Sequence, residues 1–252
     1  MAGHGRLYVG TSGFAYRDWA PLFYPVGVRP SAMLGEYAAR LSAVELKNTF
    51  YRQPRPDAIA GWLSQTPDDF RFVVKAQRGS SMRAFGVAGS SAAGLAESVG
   101  WLTAPYRLFG ERLGSVLFRV PGNVARDDER LTALLAAWPR DLPLAMEFQH
   151  ASWVADEVHA LLGEHGAALC ATDLDDLPEP DLRRSGEYVY LRLRRADYSA
   201  TDLERWSARL EPFLDDGVDC YVFLRHDETG ESALRAQRLR QLIDMGATTA
   251  KR

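Results

Sequence analysis

The chain has 252 residues, of which 46% are hydrophobic and 25% are charged, and 30 basic against 33 acidic side chains give a formal net charge of −3. This composition excludes an intrinsically disordered chain, a disulfide-rich scaffold and a collagen-like or heptad-repeat protein. The near-neutral charge argues against a basic nucleic-acid-binding coat over the whole surface, while it permits a local basic patch.

The sequence predicts a cytoplasmic protein. It contains no run of about 18 uncharged apolar residues, which a transmembrane helix requires. Its first ten residues, MAGHGRLYVG, lack the apolar centre of a signal peptide. Cys170 and Cys220 each lie inside an apolar segment, which favours two small buried side chains over a disulfide or a metal-binding pair.

Short β-type runs alternate with helical patterns from one end of the chain to the other. The predicted strands are Arg6–Gly10, Ala43–Leu46, Phe70–Lys75, Ser115–Val120, Leu144–Gln149, Ala168–Thr172, Tyr188–Arg194 and Cys220–Arg225. The predicted helices are Ala32–Leu41, Asp57–Ser64, Ala88–Gly110, Asp127–Trp138, Ala155–His165, Thr201–Leu214 and Glu231–Met245. The sixth connection, Asp173–Gly186, lacks a clear amphipathic pattern, so we predict a loop there. The Gly-, Ser- and Ala-rich segment Arg78–Gly94 predicts a mobile loop over the site.

This alternation predicts the fold. Strands that alternate with helices are typical of βαβ units and a parallel sheet, and eight such units in about 250 residues match a closed (β/α)8 barrel. A doubly wound open sheet is the alternative, but Gly10-Thr11-Ser12-Gly13 after the first strand is neither a dinucleotide fingerprint nor a P-loop. We therefore predict an α/β fold, with residues 1–252 forming a single TIM-type (β/α)8 barrel domain whose sixth helix is reduced or replaced by a loop.

The alternation within each strand predicts which side chains face the barrel interior. One face of a barrel strand packs on the outer helices and must be apolar, so the other face lines the interior. In Tyr188–Arg194 the apolar face holds Val189, Leu191 and Leu193, which leaves Tyr188, Tyr190, Arg192 and Arg194 on the other face. Repeated on the other strands, this test predicts a ring of charged residues near the carboxyl ends of the strands. The ring consists of Glu45, Lys75, Arg119, Glu147, Arg192 and Arg225.

Four positive and two negative charges in this ring predict an anion-binding site. An unpaired ion in a low-dielectric interior costs several kcal/mol. Cross-strand pairs Glu45–Lys75 and Glu147–Arg192 would explain part of the ring as a structural feature. Two cations would still lack partners, and a bound anion is the simplest partner for them.

Several stretches resemble a known family. They are Gly10-Thr11-Ser12-Gly13-Phe14 with Trp19 and Phe23-Tyr24-Pro25, the run from Val44 to Arg52, Pro67 with Phe70 to Lys75, Met146-Glu147-Phe148-Gln149-His150 with Ser152-Trp153, and Tyr190-Leu191-Arg192-Leu193. In collinear order from about residue 7 to residue 243, they are similar to the YecE-like TIM barrels, numbered seventy-two among domains of unknown function. The resemblance implies the same barrel and no established reaction. The departures at Arg119, Gln149, Arg194 and Arg225 imply a divergent branch.

The residue types suggest catalytic roles. Glu45 and Glu147 are candidates for an acid/base pair, although ion pairing would lower their pKa values and prevent action as a general acid. Lys75, one of only three lysines, is either a base, a Schiff-base nucleophile or a salt-bridged side chain. His150 is either a proton shuttle or a loop histidine bonded to backbone.

The remaining candidates would bind the substrate. Arg119, Arg192 and Arg225 would hold its anionic group, and the stretches that carry the resemblance add five further candidates, which are Ser12, Asn48, Tyr51, Gln149 and Trp153. Five aromatic residues in loops after strands predict stacking on a ring: Trp19, Tyr24, Tyr51, Trp153 and Tyr198. We expect no cofactor, and no metal, since the surrounding cations oppose one.

Three functional interpretations remain open. The first is an enzyme of hydrolase, lyase or isomerase type acting on an anionic, phosphorylated, ring-containing molecule, with phosphate or another small anion as its partner. The second is a nucleic-acid-binding or DNA-repair-type phosphodiesterase-like protein that uses the same cationic mouth; binding would then weaken steeply with salt. The third is a degenerate barrel whose charges are structural. None of them involves a membrane.

Overall fold

A sheet of eight parallel strands forms the centre of the computed structural model, which describes residues 4–85 and 91–249. The strands are β1 (Leu7–Thr11), β2 (Ala43–Leu46), β3 (Arg71–Lys75), β4 (Leu113–Val120), β5 (Leu144–Phe148), β6 (Ala168–Asp173), β7 (Val189–Leu193) and β8 (Cys220–Leu224). Their order is β1-β8-β7-β6-β5-β4-β3-β2. A parallel bridge between Ser12 and Glu45 joins β1 to β2 and brings the sheet close to a full circle. The predicted (β/α)8 barrel is confirmed.

The helices lie between successive strands, as a parallel barrel requires. They are α1 (Met33–Ala38), α2 (Pro56–Ser64), α3 (Arg78–Phe85), α4 (Ala92–Thr103), α5 (Asp128–Ala137), α6 (Asp156–Glu164), α7 (Ala200–Asp215) and α8 (Glu231–Thr249). A 3-10 segment, Ala104–Arg112, follows α4. Residues 174–188, between β6 and β7, form no helix, which confirms the loop predicted for the sixth connection. Among the described helices, none is long and apolar enough to cross a membrane.

The mobile loop predicted over Arg78–Gly94 is wrong in its described parts. Arg78–Phe85 forms α3, and Ala92 begins α4, while residues 86–90 lie outside the described residues. Phe85 packs edge-on against Phe118 and Trp153, with ring centroids 6.4 and 5.9 Å apart. Tertiary packing of this one aromatic side chain therefore outweighs the low helix propensity of the neighbouring Gly and Ser residues.

Two separate apolar layers position the site. The larger layer lies between the strands and the outer helices and contains the outward residues Val9, Val44, Val74, Val116 and Leu191. The second layer fills the barrel itself and is rich in aromatic residues. Its members are Tyr8, Ala43, Val73, Leu117, Ala145, Ala168, Cys170, Tyr188, Tyr190, Tyr221 and Phe223. The charged residues lie beyond this inner layer, at the carboxyl ends of the strands, an end that we call the mouth.

Both cysteines are free and buried, as the sequence predicts. Cys170 belongs to the inner layer and Cys220 to the outer one. Burial raises the pKa of both thiols, that of Cys220 to about 12. Each thiol therefore behaves as a small hydrophobic group rather than a nucleophile.

Candidate functional site

A buried ionic triad lies at the centre of the mouth. Arg192, on β7, donates from Nη2 to Glu45 Oε1 at 2.9 Å and from Nη1 to Glu147 Oε1 at 2.5 Å. The exposed fraction is 0% for Glu45, 3% for Glu147 and 4% for Arg192. One guanidinium group thus connects β7 to β2 and β5 through charge-assisted hydrogen bonds. The predicted structural pairing of Glu147 with Arg192 and of Glu45 with Lys75 is therefore only partly right, because Arg192 bonds to both carboxylates.

Glu45 is held by neutral donors as well. Ser12 Oγ donates to its Oε1 at 2.8 Å, and Tyr190 Oη donates to its Oε2 at 3.0 Å. Burial opposes ionisation of Glu45, but the charges of Arg192, Lys75 and Arg194 and the Ser12 hydrogen bond outweigh it and lower its pKa to about 2. Glu45 is therefore a carboxylate at any physiological pH.

Glu147 is ionised for the same reason but is less completely bonded. Burial opposes its charge, whereas Arg192 and Lys75 favour it, and its pKa falls below the usual range. Its Oε1 receives Arg192 and, at 3.4 Å, Thr172 Oγ1. Its Oε2 is buried and has no hydrogen-bond donor among the described residues. Arg119 Nε, also buried and without an acceptor in that same set, lies 3.8 Å from this oxygen.

Lys75 extends from the end of β3 beside Glu45. Thr49 Oγ1 accepts from the Lys75 backbone N–H at 2.8 Å and fixes the start of the side chain. The ammonium nitrogen Nζ lies 3.9 Å from Glu45 Oε1 and 5.3 Å from the centroid of the Phe50 ring, and 11% of the side chain is exposed. Burial lowers the pKa of Lys75; Glu45 opposes that shift and Arg192 reinforces it.

Arg119, on β4, lies beside Glu147 and on the strand next to that of Lys75. It pairs in register with Glu147 across β4 and β5, and its side chain is 35% exposed. Its Nη2 donates to Gln149 Oε1 at 2.7 Å. Two of the predicted binding residues, Arg119 and Gln149, are thereby brought together at the edge of the mouth.

Arg194 is a further cation at the mouth, and it is not among the site residues predicted from the sequence. Its Nη1 donates to Ser12 Oγ at 3.1 Å, and no carboxylate lies within ion-pair distance of it in the described ranges. Burial and the charge of Arg192 lower its pKa. The sequence does carry the signal that identifies it, because Arg194 has the same strand parity as Arg192.

A second layer of cations surrounds the opening. Lys47 and Arg225 are exposed, and Arg225 contacts the Arg194 carbonyl oxygen at 3.5 Å instead of entering the ring. The expectation that Arg225 points into the barrel is therefore wrong. Lys47 Nζ lies 3.4 Å from His226 Nε2. Burial, followed by the charges of Lys47, Arg194 and Arg225, lowers the pKa of His226, which shows how positive the opening is.

His150 does not join the triad. Its Nδ1 accepts from the Ser152 backbone N–H at 3.2 Å and lies 2.9 Å from Ser152 Oγ, so that it caps the short turn Ala151–Trp153. Of the two roles weighed for His150, the structure has the loop histidine bonded to backbone. No hydrogen bond joins its ring to Glu45 or Glu147.

The predicted ring of stacking aromatics is wrong. Four of its five members are buried: Trp19, Tyr24, Trp153 and Tyr198. Trp153 stacks on Phe148 at 4.4 Å and donates from Nε1 to the Val124 carbonyl oxygen, so it packs in the core. Only Tyr51 of this group is exposed, at 68%, and Asn48 is exposed two residues after the end of β2.

Both carboxylate oxygens of Asp173 accept hydrogen bonds from residues outside the triad. It is completely buried at the end of β6, where Oδ1 accepts from Arg195 Nε at 3.0 Å and Oδ2 accepts from Tyr198 Oη at 2.8 Å. These two hydrogen bonds fix the loop after β7 to the end of β6. In the part of the chain that the structure describes, no three His, Cys, Asp or Glu side chains are grouped as metal ligands.

Comparison with known proteins now places this barrel. The family model described as "Protein of unknown function DUF72" matches residues 8–252. The chain belongs to the DUF72 family. It is similar to the UPF0759 protein YunF of Bacillus subtilis, with 24% identity over 95% of both chains. It is also similar to the UPF0759 protein YecE of Escherichia coli K12, with 35% identity over 27% of this chain and 23% of that protein.

Solved DUF72 structures show the same fold. The DUF72 protein TM1631 of Thermotoga maritima superposes with a TM-score of 0.80 and 28% identity, over 94% of this chain and 99% of that one. The DUF72 protein EF0366 of Enterococcus faecalis gives a TM-score of 0.73 and 19% identity, over 97% and 99% of the two chains. The resemblance to the YecE-like barrels is confirmed, and with it a family for which no reaction is established.

Proposed function

We propose that this DUF72 protein is an enzyme that binds an anionic, phosphorylated substrate at the mouth. The observation that carries the proposal is a charge imbalance: Lys75, Arg119, Arg192 and Arg194 surround only two carboxylates. Arg192 already bonds to both carboxylates, so the positive charge of the other three cations is only partly compensated. A phosphoryl group is the natural partner for such a set of ammonium and guanidinium donors.

The substrate should also carry a hydroxyl group. Glu147 Oε2 is a buried carboxylate oxygen without a donor among the described residues, and Arg119 Nε beside it is a buried donor without an acceptor. Buried polar atoms are almost always paired, because an unpaired one costs about 1–3 kcal/mol. A hydroxyl group between the two would donate to Glu147 and accept from Arg119. The five predicted stacking residues give weak support to a ring in the substrate, since Tyr51 alone among those five is exposed.

The protonation states favour lyase or isomerase chemistry over acid-assisted hydrolysis. Both Glu45 and Glu147 have lowered pKa values, so neither supplies a proton at neutral pH. A general acid of the glycosidase type needs a raised pKa. Ionised carboxylates with lowered pKa values are weak bases, and they suit the stabilisation of developing positive charge instead.

Titration calorimetry with glycerol 3-phosphate, inorganic phosphate and glycerol tests the proposal. We expect both phosphates to bind and glycerol not to bind. Arg194→Ala should weaken phosphate binding at least about tenfold, which corresponds to the loss of one charge-assisted contact. Arg140→Ala is the matched control, because Arg140 is an exposed arginine at the opposite end of the barrel, beside Leu113 and Gly114. Equal affinities of both variants and the parent for phosphate would refute the proposal.

The exposed Lys47, Arg225 and Tyr51 beside the same mouth favour a nucleic-acid ligand as the second candidate. Cations would follow a phosphate backbone, and an exposed tyrosine would stack on a base. Binding of a single-stranded oligonucleotide should then fall steeply as salt rises, with a log–log slope of about −0.7 per phosphate contact. A shallow slope, together with tight glycerol 3-phosphate binding, would favour the small-molecule enzyme.

A further inference from the structure

We propose that Lys75 Nζ is a nucleophile and that the substrate is a phosphorylated aldehyde or ketone, which Lys75 holds as an imine. This inference rests on the proposed anion site and adds the functional group that reacts there. Three independent features of Lys75 support it: the bonding of its nitrogen, its surroundings and its residue type.

The first feature is that the ion pair between the Lys75 nitrogen and Glu45 is long. Glu45 Oε1, its nearest carboxylate oxygen, is 3.9 Å away and already accepts from Ser12 at 2.8 Å and Arg192 at 2.9 Å. No hydrogen bond to Lys75 Nζ occurs within the described ranges. The nitrogen is therefore held in place by packing, with its donors still available at the mouth.

The second feature is an environment that favours a neutral amine. The Phe50 ring lies over Nζ, and this cation–π contact favours the ammonium form, as do Glu45 and Glu147. Arg192 and Arg194 oppose that form. Desolvation is the largest influence and also opposes the charge. A buried lysine beside other cations is the usual arrangement for an amine that attacks carbonyl carbon.

The third feature is that a lysine stands at this position at all. Of 30 basic side chains only three are lysines, whereas Arg119, Arg192 and Arg194, which share the mouth, are arginines. A guanidinium group would bind an anion at least as well, because its fork matches phosphate oxygens. An amine, unlike a guanidinium group, can lose its proton and form a covalent bond.

The chemistry needs no oxidant, reductant or metal. The lone pair of the neutral amine attacks the carbonyl carbon. The carbonyl oxygen takes the π electrons and then the proton that nitrogen gives up, and so becomes a hydroxyl group. The nitrogen pair then forms the C=N bond as the hydroxyl leaves with a further proton as water. Amine and carbonyl thus yield an imine and one water, and protonation of the imine draws electrons from the neighbouring carbon–hydrogen or carbon–carbon bond.

Reductive trapping tests the inference on the full-length protein. Borohydride delivers hydride to the imine carbon and makes the bond permanent, and peptide mass mapping then locates the adduct. We would treat the protein with glyceraldehyde 3-phosphate, and separately with glyceraldehyde, at pH 7.5. The only other lysines are Lys47 and Lys251, so the exposed Lys47 is an internal control. We expect Lys75 to be labelled at least about tenfold faster than Lys47, because burial lowers the pKa of Lys75 and the phosphate site would hold the aldehyde beside it.

Further results separate this inference from the proposed function. If phosphate binds but Lys47 is labelled as fast as Lys75, or Lys75 is not labelled, the nucleophile is refuted and the anion site stands. If both aldehydes label Lys75 equally fast, and phosphate does not compete, the nucleophile stands and the anion site is refuted. Lys75→Arg keeps the charge and should keep phosphate binding within about threefold while it loses the adduct. Persistence of the same adduct mass in Lys75→Arg would overturn the assignment to Lys75.

Discussion

Replacing Arg192 with methionine should destabilise the barrel strongly at pH 7 and much less at pH 4. Methionine has a similar length and no charge, so the substitution removes the charge while it fills most of the space. Glu45 and Glu147 would then remain in the interior without the guanidinium that bonds to both of them.

The magnitude follows from the carboxylates. The pKa of Glu45 is lowered from 4.5 to about 2 in the folded protein, and each unit is worth about 1.4 kcal/mol. The ionised form of Glu45 therefore contributes about 3 kcal/mol at neutral pH, of which Arg192 is the largest favourable source. Glu147 contributes in the same direction. This agrees with the loss of about 3–5 kcal/mol that usually follows when one partner of a buried ion pair is removed.

The pH dependence has a definite sign. A carboxylate whose folded pKa is lowered stabilises the protein above its unfolded pKa, and this contribution is lost as pH falls from about 4.5 toward 2. Without Arg192, burial is opposed mainly by Lys75, so both carboxylate pKa values rise relative to the parent protein. Protonation in acid therefore removes part of the cost of burying the two carboxylates. The deficit in the free energy of unfolding should therefore shrink between pH 7 and pH 4.

Urea denaturation followed by tryptophan fluorescence at both pH values measures this deficit. The matched control is the triple variant E45Q/R192M/E147Q, which removes the two negative charges together with the positive one and should recover most of the lost stability. A deficit that is equal at pH 7 and pH 4, or a triple variant as unstable as Arg192→Met, would refute the electrostatic explanation.

Four further predictions concern the scaffold. Gly10→Ala should cost about 2–3 kcal/mol in unfolding free energy, because its Cβ would lie 1.9 Å from a backbone oxygen at the β1–β2 seam. Gly61→Ala, where α2 leaves open space, should instead raise that free energy by about 0.5–1 kcal/mol in the same denaturation assay. Tyr198→Phe should cost about 1.5–3 kcal/mol, since it removes a donor to a buried carboxylate on β6; an unchanged urea midpoint would contradict this. Cys170 and Cys220 should react with a thiol reagent only after unfolding, and rapid labelling of the native protein would contradict their burial.

Strand periodicity was sufficient to predict both the barrel and the residues of its triad. The apolar face of each strand must pack against the helices. The side chains on the other face, which include Glu45, Glu147 and Arg192, therefore point to the interior. Parity does not say which charges pair. Arg192 reaches two strands that are far away in sequence, and only the closed circle of strands brings Glu45 and Glu147 to the same guanidinium.

Loop residues were harder to place, because their orientation has no period. Arg225 and His150 each follow a strand by one or two residues, yet neither side chain turns inward. The aromatic residues after the strands mislead for a related reason: a tryptophan in a short loop gains more from burying its ring than from meeting a ligand. Trp153 accordingly packs on Phe148.

The sequence by itself determined the eightfold alternation, the inward parity and the excess of arginine over lysine, since each depends on neighbouring positions along the chain. Only the tertiary structure decided which charges neutralise one another, which oxygen of Glu147 lacks a donor and how far Lys75 lies from Glu45. Those properties depend on distances of a few ångströms between strands far apart in sequence. Electrostatic energy and hydrogen bonding vary steeply over such distances. The packing of apolar faces that forms a barrel depends on them much less.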